Sequence, residues 1–112
     1  MASFSFTTHA ADGRAIIRTR GYLSRAAGEQ LEQEIVRLLG GGVGRFIVNL
    51  HDTDLINSVG ISILIGVIER VREQGGDLAF SELTPVNVEI FRIMGLQRHA
   101  RLLSRESEAE DR

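Results

Sequence analysis

The chain opens with apolar residues alternating with small polar ones. Phe4 and Phe6 are flanked by Ser3, Ser5 and Thr7, a period of two that predicts a strand with one buried face. Asp12-Gly13 then supplies a turn signal. The alternation resumes over 14–20, where Ala15, Ile17 and Thr19 fall on one side and Arg18 and Arg20 on the other. The two runs together predict a β-hairpin, closed by Gly21. From there the period changes. Leu31, Ile35, Leu38 and Leu39 recur at helical spacing, and Ala26 and Ala27 extend the stripe back towards Ser24, a favourable N-cap. Gly40-Gly41-Gly42 ends that helix. Residues 46–50 are apolar almost throughout and predict a strand.

The clearest helical run covers 58–74, with Ile61, Leu64, Ile65, Ile68 and Val71 as its core stripe and Gly75-Gly76 as its stop. A short strand is predicted over 77–81. Thr84 and Pro85 open a third helix as N-cap and first helical residue. Its stripe reads as Val86, Ile90, Ile93 and Met94, and Gly95 and Leu96 end it. Leu102 and Leu103 suggest a last short strand. The remaining SRESEAEDR contains no large apolar residue, so residues 105–112 are expected to form a disordered acidic tail on a domain spanning 1–104.

The order strand, strand, helix, strand, helix, strand, helix, strand predicts an α/β fold (α+β in some schemes). An N-terminal hairpin leads into parallel strands of one mixed sheet. Successive right-handed crossovers running in one direction place all helices on one face. The other face should be partly open to solvent, which is consistent with Arg18 and Arg20 on the second strand.

Composition narrows the functions available. The 112 residues fit one domain, and 43% of them are hydrophobic, enough for a single core. There is no cysteine, which removes disulfides, thiolate metal sites and thiol nucleophiles and suits a cytoplasmic setting. A net charge of -2 argues against a nucleic-acid partner, which would need a basic patch. No leader is read over 1–10, and the longest apolar run, 61–68, is too short to span a membrane. No cofactor and no metal are expected.

Candidate catalytic groups do not assemble. His9, His51 and His99 show no metal-ligand spacing. A serine hydrolase needs a base beside its serine, and Asn57-Ser58-Val59-Gly60 is not a nucleophile elbow. Gly40 to Arg45 is rich in glycine, yet it follows a helix and precedes a strand, the reverse of a phosphate cradle. Asp52 and Asp54 could attract a divalent cation, but turn formation and solvation explain them without a third oxygen ligand.

Ser58 remains. Asn57 and Ser58 are both good N-cap types, so Ser58 reads either as a helix starter or as a functional hydroxyl. Three features favour function. A helix N-terminus accommodates an anion such as a phosphate. The position follows the carboxyl end of a parallel strand, where open α/β sheets present functional atoms. The outward side of the helix, with Val59, Ile63, Gly66 and Arg70 flanked by Gly60 and Ser62, is small and apolar rather than charged, as a partner-facing surface would be.

These residues resemble the bacterial anti-sigma factor antagonists, which carry the STAS domain. The family pattern is an apolar strand ending in Asn-Leu or Asp-Leu, a short loop, then Asp-Ser-Ser-Gly opening a helix. The chain has Val48-Asn49-Leu50, the stretch 51–56, then Asn57-Ser58-Val59-Gly60. Thr84-Pro85 and Phe91-Arg92-Ile93-Met94-Gly95-Leu96 are similar to the family's third helix and its stop. The resemblance implies a partner-switching regulator. Unphosphorylated, it binds an anti-sigma factor that is a serine kinase, so freeing a sigma factor. It is released when Ser58 is phosphorylated, and a serine phosphatase resets it. The implied docking surface is Tyr22, Ser24, Asn57, Ser58, Val59, Ile63 and Gly66, with neither nucleic acid nor membrane as partner, on a monomer or weak homodimer. The sequence departs from the pattern in Asn57 for aspartate, Val59 for the second serine, and Ser24 for the aspartate of Gly-x-Leu/Ile-Asp after the second strand. Two other roles stay open: a structural STAS subunit of a stress-sensing assembly, and a STAS module that binds a nucleotide or small ligand.

Overall fold

The computed structural model describes residues 3–110. Five strands, β1 (Ser5–Ala11), β2 (Arg14–Leu23), β3 (Arg45–Ile56), β4 (Asp77–Ser81) and β5 (Arg101–Leu103), form one sheet in sequence order. β1 pairs antiparallel with β2 through the tight turn at Asp12-Gly13, and every other pairing is parallel. Helices α1 (Arg25–Gly40), α2 (Ser58–Glu73) and α3 (Pro85–Met94) make the three crossovers. The helices pack on the sheet and on one another. The core between them contains Ile17, Leu31, Ile35, Val48, Leu64 and Phe80. As the alternation requires, Ala15, Ile17 and Thr19 are buried while Arg14, Arg18 and Arg20 face water on the helix-free side.

Three expectations change. First, β2 does not stop at Gly21 but continues to Leu23. Gly21 has φ +97, and a Cβ there would lie 2.7 Å from the carbonyl oxygen of Ser3. It is glycine because the chain before β1 crosses over it, not because the strand ends.

Second, 51–56 is strand rather than loop. Arg18 pairs with Asn49 but Arg20 with Asp52, and Gly21 pairs with Thr53 but Tyr22 with Leu55. β3 therefore carries two extra residues as bulges. Burial consequently recurs every third residue, at Leu50, Thr53 and Ile56, and this masks the strand period.

Third, α3 is rotated from its predicted stripe. Val86, Ile93 and Met94 are 57%, 74% and 38% exposed, while Asn87 and Phe91 are fully buried. Phe91 packs edge-on against Phe80, with ring centroids 5.1 Å apart. Asn87 Nδ2 donates to the buried carbonyl of Thr53 at 2.9 Å. A carbonyl stranded at a bulge must find a donor, and that demand, added to the aromatic contact, sets the rotation against the larger count of aliphatic side chains.

The start of the C-terminal segment packs back on the sheet. Glu106–Glu110 form a short 3-10 turn, and Arg18 donates to Glu106 through Nε at 2.9 Å and Nη2 at 2.8 Å on the helix-free face. Asn49 Nδ2 donates to the same carboxylate. Residues 111–112 lie outside the described residues.

The Arg18 hydrogen bonds, with Asn49 adding to them against a partial burial penalty, hold Glu106 below the usual carboxylate range. Its stabilising contribution is therefore complete above the ordinary carboxylate pKa and fades as pH falls through the lowered value. Glu106→Gln should lower stability at neutral pH by less than about 1 kcal/mol, since Arg18 is largely exposed. In thermal unfolding, variant and parent should converge at strongly acid pH.

Candidate functional site

The seam between β3 and α2 is built by a division of labour among four consecutive residues. Asn57 is the N-cap of α2: its backbone is extended and its Oδ1 accepts from the Gly60 amide at 2.7 Å. Its own amide donates to the carbonyl of Leu23 at 3.2 Å, tying the seam to the end of β2. Gly60 is buried, and a Cβ there would lie 2.6 Å from that same Leu23 oxygen and 2.9 Å from Leu23 Cδ2. Only glycine lets the first turn of α2 rest on the end of β2. Ser58, the first helical residue, is left with neither task. It is exposed, and its hydroxyl has no hydrogen-bond partner among the described residues. Its carbonyl accepts from Ser62 Oγ at 3.1 Å. The reading of Ser58 as the helix cap is thereby excluded, because Asn57 fills that role.

The other predicted residues divide into those that face water and those that do not. Val59 is 38% exposed, and Gly66 is exposed with nothing within 4 Å of a Cβ built on it. Tyr22 is half-buried on β2. Ser24 is the N-cap of α1, its Oγ accepting from the Ala27 amide at 3.4 Å. Ile63 is also half-buried. A Cβ on Gly28 of α1 would lie 3.3 Å from three of its side-chain atoms, so α1 covers much of a residue expected to face outward. The free strip of α2 is accordingly narrower than expected and runs through Ser58, Val59, Ser62 and Gly66. Leu55, which the sequence did not single out, is 46% exposed and sits beside Tyr22 in the β2–β3 register. Reading 51–56 as a bulged strand would have been needed to find it.

The open strip on α2 has a measurable consequence. Gly66→Ala adds a methyl group into empty space and restores helix propensity, so it should stabilise the isolated chain by about 0.5–1 kcal/mol in urea unfolding.

The alternative chemistries find no geometry. His51 lies on β3, and its Nδ1 is 2.9 Å from Asp52 Oδ1, so it is engaged with a neighbouring acid and not with Ser58. In the glycine-rich connection, the amides of Gly41, Gly42 and Gly44 all donate to backbone carbonyls, leaving those three unavailable to cradle a phosphate. Among the described residues, no three His, Asp or Glu side chains are grouped to hold a metal ion. No helix among them is long and apolar enough to cross a membrane.

The two substituted capping positions are compatible with the pattern they depart from. Asn57 and Ser24 stand where aspartates are expected, and each caps a helix with a side-chain oxygen as an aspartate would. The geometry is preserved while one negative charge is removed beside each helix start.

A family model described as the STAS domain matches residues 5–109. BtrV of Bordetella bronchiseptica, named as a candidate anti-sigma factor antagonist, is 33% identical over 84 residues, covering 75% of this chain and 72% of that protein. A candidate anti-sigma factor antagonist from Thermotoga maritima superposes with a TM-score of 0.86 at 17% identity, covering 95% of this chain and 92% of the other. SpoIIAA of Bacillus, an anti-sigma factor antagonist, has been solved unphosphorylated and phosphorylated. It superposes with TM-scores of 0.74 and 0.73 at 22% and 23% identity, covering 96% of this chain in both cases and 96% and 97% of SpoIIAA. The structural likenesses carry the fold, and the sequence matches carry the family. With the STAS pattern extending over nearly its whole length and a curated relative matched over three quarters of it, the chain belongs to the STAS domain family of anti-sigma factor antagonists.

Proposed function

We propose that this chain is a partner-switching regulator. Unphosphorylated, it docks on an anti-sigma factor that is also a serine kinase, and so controls the availability of a sigma factor in the cytoplasm. Phosphorylation of Ser58 ends the interaction, and a serine phosphatase restores it. The observation that carries this reading is the uncommitted, exposed hydroxyl of Ser58 at the first position of α2, with the cap supplied by Asn57. A kinase can reach such a hydroxyl, and modifying it breaks no hydrogen bond of the fold.

The physics of the adduct supports a switch rather than an unfolding event. A phosphate brings a charge of about -1.5 to -2. At a helix N-terminus that charge meets unpaired amides and the positive end of the helix dipole, so α2 tolerates it. Within a docked interface the same group would sit among Val59, Leu55 and the small residues of α2. Desolvation of the dianion then opposes docking. The surface proposed is Tyr22, Leu55, Asn57, Ser58, Val59 and Gly66, with Ser24 and the exposed edge of Ile63 at its margin.

Incubation with the cognate kinase and ATP, followed by peptide mapping, tests the assignment. Phosphate should be found on Ser58 and be absent from the Ser58→Ala variant. Modification of Ser62 or another hydroxyl with Ser58 untouched would end it.

A further inference from the structure

We propose that a hollow on the helix-free face, at the end of β3 opposite Ser58, binds a small organic anion: a carboxylate on a short hydrocarbon. The hollow encloses about 60 Å³ and is lined by Arg14, Ile16, Arg45, Ile47, Asp77 and Arg101. This is well above the space one water needs.

Three features of its lining call for an anion. Arg14 and Arg45 are direct partners in the β2–β3 register, and like charges placed opposite each other destabilise a sheet. Neither has a carboxylate partner among the described residues, whose ion pairs are Arg18–Glu106, Arg37–Glu34, His51–Asp52 and Arg101–Asp77. Arg101 gives Nη2 to Asp77 at 2.8 Å, but its Nη1 is buried with no hydrogen-bond partner. A buried donor left unpaired is unfavourable, and an anion oxygen would satisfy it. Three guanidinium groups thus face one carboxylate.

The floor specifies the rest of the ligand. Ile16 and Ile47 are adjacent in the register and half-buried on this open face, so an apolar segment can lie on them with its charged end among the arginines. The next row of the same face shows what such a seat does when filled, for there Arg18 and Asn49 already hold the carboxylate of Glu106. The chain supplies the occupant of one seat and leaves its neighbour open to solvent. This site lies at the other end of the sheet from Ser58 and does not depend on the switch.

The probe is hexanoate, titrated against the full chain while the amide resonances of Ile16, Ile47 and Arg101 are followed. Sodium chloride at matched ionic strength and inorganic phosphate form the comparison arms. Hexanoate should move these resonances saturably. Arg45→Gln and Arg14→Gln, both at exposed positions, should each weaken its apparent affinity about tenfold, the usual effect of losing one charged donor. Arg20→Gln, on the same face but beside Asp52 in the register, should leave it unchanged. The proposal is overturned if chloride reproduces the shifts, if phosphate binds as tightly as hexanoate, or if Arg14→Gln and Arg45→Gln bind hexanoate like the parent.

Discussion

Gly60→Ala is expected to destabilise the fold by about 2–3 kcal/mol, the cost of forcing a methyl group into a packed contact whose other side is backbone. The added carbon would lie 2.6 Å from the Leu23 carbonyl oxygen, and that oxygen already accepts from the Asn57 amide. Neither group can rotate away, so the first turn of α2 must lift from the end of β2. Thermal unfolding should report a drop of roughly 10 °C for a domain of this length. The contrast with Gly66→Ala on the same helix is the informative part: one alanine should destabilise and the other stabilise. An unchanged midpoint for Gly60→Ala would mean that the seam is looser than its geometry indicates.

The second large effect concerns docking rather than folding. Ser58→Asp should weaken binding to the anti-sigma partner by at least about a hundredfold, because an uncompensated charge buried in an interface costs about 3–5 kcal/mol. Ser58→Ala should bind like the parent, since the hydroxyl has no partner within the chain to lose. Both variants should unfold near the parent temperature: aspartate at the first helical position is favourable, and alanine disturbs no cap while Asn57 remains. Calorimetry of each variant against the partner separates the roles. Equal affinities for the aspartate and alanine variants would remove the switch even if both proteins were folded.

Much of this architecture could be read from the residues. The alternation at Phe4, Phe6, Ala15 and Ile17, the helical stripe ending at Gly40, and Thr84-Pro85 before α3 each correspond to an element in place. These are local signals, in which one residue's preference agrees with its tertiary surroundings. Two of the differences, the extent of β3 and the rotation of α3, have a common cause in β3. Its two bulges replace a period of two by one of three, so 51–56 carries no strand signature and no local pattern marks Leu55 as exposed. The same bulged segment leaves the Thr53 carbonyl needing a donor. Asn87 supplies it from α3, and the helix turns Val86 and Ile93 to solvent as a result. No window of sequence around residue 87 contains that requirement. The placement of the tail's first turn is illegible locally for a related reason. It has no apolar face, but Glu106 docks through Arg18 and Asn49, two residues far from it in the chain.

The candidate site was legible in its chemistry but not in its division of roles. Asn57 and Ser58 were equally suited to cap α2, and sequence preference alone does not choose between them. The tie is broken by the extended backbone of Asn57 and the approach of its Oδ1 to Gly60, which free the serine.

The proposed regulation rests on that free hydroxyl controlling an interface. The most direct measurement is calorimetric titration of the anti-sigma partner with the chain carrying phosphate on Ser58 alone, beside the unmodified chain, with the fold of both checked by amide spectra. Tight binding of the unmodified chain and its loss on phosphorylation, with α2 and β3 resonances otherwise native, is the result expected. Undiminished binding by the phosphorylated chain would contradict it.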